Sequence, residues 1–69
     1  MQTLARTLDK ESYEWLTGYH PDIVEAIETE VSAGHKPEEI KLFVLRQTSR
    51  MELAQRCEQA ARHIKRRAE

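Results

Sequence analysis

The 69-residue sequence predicts an all-α fold, a small orthogonal or antiparallel bundle of three to four short helices. It holds only two glycines, two prolines and four aromatic residues, too few for the many turns and large side chains of a β-sandwich or barrel. Alanine, glutamate, arginine and leucine are good helix formers. Because 39% hydrophobic and 33% charged residues are typical of a folded chain, we expect residues 1–69 to form a single helical domain.

The first helix is expected over about residues 10–17. Asp9 has the short polar side chain that caps free backbone amides at the start of a helix. Gly18 is the residue type that most often ends a helix. Residues 1–8 are accordingly expected to form an N-terminal arm.

Two prolines mark the starts of the next two helices. Pro21 fits the first helical position and predicts a helix over 21–33, which Gly34 would end. Pro37 is followed by two glutamates, which favour the positive end of the helix dipole. It predicts a third helix over 37–46.

The third helix is expected to be the most buried element. Its apolar residues cover most of its circumference rather than one stripe. We therefore expect helices two, three and four to pack around Phe43, with the first helix closing one end of the bundle. The apolar residues concerned are Ile40, Leu42, Phe43, Val44 and Leu45.

A capping box predicts the start of the fourth helix, with Ser49 as the N-cap and Glu52 three residues later. The helix is expected over 50–67, and residues 66–69 are expected to form a frayed basic end. The alternative is one continuous helix from Pro37, since no glycine or proline intervenes. A break is favoured because the apolar stripes of the two segments differ by roughly 90° on one helical wheel.

Size and charge both predict association. A chain of about 60 residues buries only about 60% of its unfolded surface, so a partner would help to complete the core. Residues 1–45 hold four Lys/Arg against nine Asp/Glu, whereas residues 46–69 hold seven against three. This asymmetry favours pairing of oppositely charged helices, within the chain or across a dimer, over a basic arm for nucleic acid.

The leading functional hypothesis is a non-enzymatic protein–protein interaction or oligomerisation module, an adaptor or small regulatory protein. We expect either a homo-oligomer or another protein as the partner. Aromatic residues near the end of the first helix and a seam of small residues on the last helix would form the interface. The expected interface residues are Tyr13, Trp15, Leu16, Tyr19, Ala54, Cys57, Ala61 and Ile64.

The alternative is a DNA-binding regulator with a helix-turn-helix-like unit that uses the Gln/Arg face of the last helix. Arg and Gln side chains bond base edges in the major groove. Against this, Arg56 and Arg62 each have a glutamate four residues earlier, Glu52 and Glu58, and the isoelectric point is about 6.3. The residues considered for nucleic-acid or anion contact are Arg46, Ser49, Arg50, Gln55, Gln59, Arg62 and Arg66.

No residue pattern in the sequence indicates catalysis. The histidines and the single Cys57 lack the spacing of a zinc site or a Cys-His nucleophile, and there is no Gly-rich phosphate loop. We therefore expect no enzyme activity, cofactor, metal or small-molecule substrate. One cysteine and no apolar leader favour a cytoplasmic protein. The longest apolar run, residues 42–45, is too short for a membrane span.

Overall fold

The computed structural model describes residues 4–68 as four helices with no strand between them. The predicted all-α bundle is confirmed. No helix in this part of the chain combines the length and the apolar character that crossing a membrane requires. The helices are α1 (Leu4–Tyr19), α2 (Pro21–Ser32), α3 (Pro37–Thr48) and α4 (Met51–Ala68).

Helix α4 lies at the centre of the bundle and packs against the other three helices, most extensively against α1 and α3. Its inward face consists of small side chains, which allow neighbouring helices to approach closely. These side chains are fully buried: Ala54, Cys57, Ala60 and Ala61. The rest of the core comes from all four helices, with Leu16, Val24, Ile27, Ile40 and Leu53.

The expectation that the third helix is the most buried element is wrong. Within α3 only Pro37 and Ile40 are buried, while Phe43 is 41% exposed and Leu42 is 55% exposed. The small side chains of α4 let that helix take the central position, so α3 contributes one side of its apolar circumference to the core. The bundle therefore packs around α4 and not around Phe43.

The prediction of an N-terminal arm over residues 1–8 is wrong for residues 4–8, because α1 begins at Leu4. Residues 1–3 lie outside the described part of the chain. Asp9 does not cap the helix. It lies inside α1, is 3% exposed, and forms an ion pair with Arg66 of α4. Docking on α4 therefore extends the helix past the residue that resembles a cap.

Gly18 does not end α1, which continues to Tyr19. His20 leaves the helical conformation, with φ −141° and ψ 63°, and it precedes Pro21. A residue before proline is pushed away from the α region, because the proline ring clashes with its backbone. The proline, and not the glycine, therefore determines where the helix ends.

The predicted start of α2 at Pro21 and its end near Gly34 are confirmed. Gly34 has φ 94°, the left-handed conformation that glycine adopts without strain. Its N–H donates to the carbonyl of Val31 at 3.0 Å, and the N–H of His35 donates to the carbonyl of Glu30 at 3.0 Å. This pair of bonds is the Schellman motif.

The predicted break between α3 and α4 is confirmed, but the capping box is wrong. Ser49 adopts the left-handed conformation (φ 57°) and caps the C-terminus of α3, with its N–H donating to the carbonyl of Leu45 at 2.8 Å. The carbonyl of Arg50 accepts the N–H of Ala54 at 3.0 Å, so Arg50 occupies the N-cap position of α4.

The C-terminal end expected to fray from residue 66 is helical through Ala68. Arg66 pairs with Asp9, and Arg67 donates to the hydroxyl of Tyr13 at 3.2 Å. These contacts with α1 hold the last turn of α4 in place.

Candidate functional site

An open apolar groove of about 430 Å³ lies between α2 and α3, with Leu53 of α4 among the residues that line it. It exists because α2 and α3 contact α4 more than they contact each other. Its volume falls within the range of binding pockets in proteins, about 300 to 1,000 Å³. The apolar lining residues are Ile23, Ala26, Ile27, Ile40, Phe43, Val44 and Leu53.

The turn between α2 and α3 is held by His35. Its Nε2 lies 3.3 Å from Glu30 Oε2, and its Nδ1 lies 3.7 Å from Glu39 Oε2, so one imidazole connects the two helices. The imidazole also meets the ring of Phe43 edge-on, with 5.8 Å between the ring centroids. This contact orients the aromatic side chain that lines the groove.

Glu39 is held by the backbone as well as by His35. Its Oε1 accepts the N–H of Lys36 at 2.9 Å. This backbone hydrogen bond, together with the charges of His35 and Lys36, lowers the pKa of Glu39 below its ordinary value. The first turn of α3 therefore begins with a negative charge, which suits the helix dipole.

Helix α2, which forms one wall of the groove, is acidic, and its Glu30 is among the residues that line the groove. Helix α2 carries four carboxylates and no lysine or arginine. Within residues 4–68 these carboxylates form no ion pair with the basic end of α4. The pairing expected between the acidic and basic helices is therefore not formed within the chain. The four carboxylates are Asp22, Glu25, Glu28 and Glu30.

The basic residues of α4 contact α1 instead, and the two helices run antiparallel. Residues later in α1 contact residues earlier in α4. The bond from Ser12 Oγ to Gln59 Oε1 is 2.5 Å long, and the Arg56 guanidinium lies 4.4 Å from the Trp15 ring centroid. The cross-helix pairs are Asp9 with Arg66, Ser12 with Gln59, and Trp15 with Arg56.

A second depression, the basic cleft, lies between the N-terminal half of α1 and the C-terminal end of α4. Its volume is about 190 Å³. The His63 and Tyr13 rings are in contact, 4.9 Å apart between centroids and tilted by 44° to each other. Burial lowers the pKa of His63, and the nearby positive charges of Arg67, Arg66 and Lys10 lower it further. The cleft is lined by Arg6, Lys10, His63, Arg66 and Arg67.

Half of the expected interface residues belong to the chain's own core. Leu16, Ala54, Cys57 and Ala61 have no exposed surface, so in this fold they are not open to a second molecule. The small-residue seam is a packing surface, but the other helices of the same chain cover it. Burial also raises the pKa of the Cys57 thiol to about 11, which keeps it protonated and unreactive at neutral pH.

The other four expected interface residues remain at least partly accessible. Tyr13, Trp15 and Ile64 are half-buried against the core. Tyr19 is 70% exposed, and its ring lies 5.2 Å from the Trp15 ring. These aromatic rings therefore cap the α1 end of the core more than they form a continuous open surface.

The residues considered for nucleic-acid contact do not form a row of open side chains. Gln59 bonds Ser12, and Arg66 pairs with Asp9. Arg62 donates to Glu58 at 3.0 Å on its own helix, whereas Gln55 is exposed.

Ser49, which was considered for anion contact together with Arg46 and Arg50, ends α3 and is not the N-cap of α4. Arg46 and Arg50 are exposed on either side of this junction.

Sequence reasoning missed both the groove and the basic cleft, since each needs the relative placement of two helices. The one signal for the groove was the acidic surface of α2 beside its own apolar stripe. No group of three His, Cys, Asp or Glu residues that could hold a metal occurs in the described range 4–68. Comparison with protein-family models, curated proteins and solved structures finds no match.

Proposed function

We propose that this chain is a non-enzymatic protein–protein interaction module whose α2/α3 groove binds an amphipathic helix bearing basic residues. The observation that carries the proposal is Phe43, a large aromatic side chain that lines an apolar groove and remains 41% exposed. Laying the apolar face of a helix into such a groove is a recurring mode of recognition.

The groove has the composition of an interface core. Its walls are mostly apolar, and aromatic side chains are enriched at the centres of protein interfaces. Burial of Phe43 by a partner would remove apolar surface from water, which is the main favourable term in association. The contact with His35 keeps the ring oriented before the partner arrives, which reduces the entropy lost on binding.

The charge of α2 favours a basic partner helix over a second copy of this chain. In a two-fold dimer the same patch meets itself, so two acidic α2 helices, each with Glu30 at the groove, would lie beside one seam. Like charges facing each other oppose that arrangement. A partner helix with apolar residues at i, i+4 and i+7 and flanking lysines or arginines complements both the groove and the acidic helix α2.

The test uses two synthetic helical peptides of about 20 residues, long enough to be partly helical alone. Both carry leucines at i, i+4 and i+7; one is flanked by lysines and the other by glutamates. Fluorescence anisotropy should show that the lysine peptide binds and the glutamate peptide does not. Phe43→Ala should weaken binding of the lysine peptide by about tenfold or more.

Leu42→Ala is the matched control, because Leu42 is adjacent, 55% exposed and not among the residues that line the groove. It should leave peptide affinity unchanged. Phe43→Ala should remain folded, since a side chain only partly buried loses about 1–2 kcal/mol of transfer free energy on truncation. Circular dichroism checks this.

Three results would contradict the proposal: no binding of the lysine peptide, equal binding of the glutamate peptide, or equal loss in the Leu42 and Phe43 variants. Sedimentation of the free protein tests whether a second copy of this chain occupies the groove. A dimer that dissociates in Phe43→Ala would show that a second copy fills the groove.

A further inference from the structure

We propose that the basic cleft between α1 and α4 binds a compact phosphate anion, such as a pyrophosphoryl or tripolyphosphate group. This site is separate from the α2/α3 groove. Leu53, which lines the groove, and His63, which lines the cleft, are ten residues apart along α4, a rise of about 15 Å.

The cleft brings together cations that are far apart in the sequence. Arg6 and Lys10 are one helical turn apart on α1, and the antiparallel packing places them beside Arg66 and Arg67 at the end of α4. Four cationic side chains therefore line a single depression. Arg66 is paired with the Asp9 carboxylate, and Arg6 also has an interaction partner.

Two of the guanidinium groups are already held in position. Arg66 is anchored by the buried Asp9, and Arg67 is anchored by the Tyr13 hydroxyl, with its guanidinium carbon 5.5 Å from the Tyr13 ring centroid. A guanidinium carries five N–H donors, so one anchoring bond leaves others for a ligand. Donors fixed before binding lose less entropy when an anion arrives, and arginine forks match phosphate oxygens.

The local electric field is positive. Besides burial, the charges of Arg67, Arg66 and Lys10 lower the pKa of His63, because each disfavours a further proton on the imidazole. The same positive charges would attract an anion in the cleft.

The dimensions of the cleft favour a compact anion over a long polyanion. Its 190 Å³ is below the range of pockets that enclose whole drug-sized ligands, about 300 to 1,000 Å³. The net charge of −1 and the isoelectric point of about 6.3 oppose tracking along a DNA backbone. The Gln/Arg face beside the cleft is also occupied by contacts with α1 and with Glu58.

The test is calorimetric titration of the full chain with sodium tripolyphosphate, at an ionic strength held constant with sodium chloride. The wild type should bind with a stoichiometry of one. Lys10→Gln should weaken affinity by about tenfold, the scale of one lost hydrogen bond to a charged group. Lys65→Gln is the matched control, since Lys65 is an exposed cation of α4 that does not line the cleft.

The control should bind as the wild type does. Equal weakening in both variants would overturn the proposal, because it would indicate attraction to net charge alone. An absence of wild-type binding would overturn it as well. A parallel titration with duplex DNA at equal phosphate concentration should show weaker binding than tripolyphosphate. If DNA binds more tightly and Lys10→Gln abolishes that binding, the ligand of the cleft is a nucleic-acid backbone and the proposal of a compact anion is wrong.

Discussion

The buried ion pair between α1 and α4 makes an asymmetric prediction about stability. The Asp9 side chain is 4% exposed, whereas the Arg66 side chain is 31% exposed. Arg66→Met keeps the apolar stem but leaves a buried carboxylate without its partner. Asp9→Ala leaves a guanidinium that can turn toward water. The two single substitutions should therefore differ in cost, although they remove the same ion pair.

The magnitudes follow from burial. Breaking a fully buried pair costs about 3 to 5 kcal/mol, and the partial exposure of Arg66 reduces this to about 2 to 3 kcal/mol for Arg66→Met. Asp9→Ala should cost about 1 kcal/mol or less, because the remaining charge is hydrated. For a chain of this size, 1 kcal/mol corresponds to about 4 to 8 °C, so Arg66→Met should lower Tm by about 10 to 20 °C.

Thermal and urea unfolding, followed by circular dichroism, measure these values. The double variant Asp9→Ala/Arg66→Met should be more stable than Arg66→Met alone, because removing the carboxylate relieves the unpaired charge. Equal losses in the two single variants would refute the reasoning. A double variant less stable than both would refute it as well, since the loss would then come from packing and not from charge.

Two further predictions test the core and the pH response. Ala61→Leu adds bulk to a fully buried position and should lower the free energy of unfolding by about 1 to 3 kcal/mol. Ala68 is exposed on the same helix, so Ala68→Leu should leave Tm nearly unchanged. Equal Tm values for the two variants would show that the seam is loosely packed. The lowered pKa of His63 means that the unfolded chain takes up its proton first, so stability should fall as the pH drops through the ordinary value of 6.5. Urea unfolding at about pH 7.5 and pH 5.5 should show that the free energy of unfolding falls less between these two pH values in His63→Gln than in the wild type. An equal fall in the variant and the wild type would show that another group is responsible.

The sequence determined the features that depend on steric constraints within a few residues. Pro21 and Pro37 each begin a helix, and Gly34 adopts the left-handed conformation after α2. These residues restrict or relax their own backbone angles in any fold, so the pattern alone is sufficient. The small-residue face of α4 was likewise identifiable as a packing surface.

Only the tertiary structure decided which surfaces meet. Asp9 resembles an N-cap in sequence, but a partner 57 positions away draws it into the helix interior. Phe43 lies in the most apolar segment, but the narrower α4 fills the centre and leaves its ring partly exposed. The groove and the basic cleft have the same origin: each depends on how two helices pack against α4, and that arrangement is chosen by the total burial of the whole chain and not by any local segment.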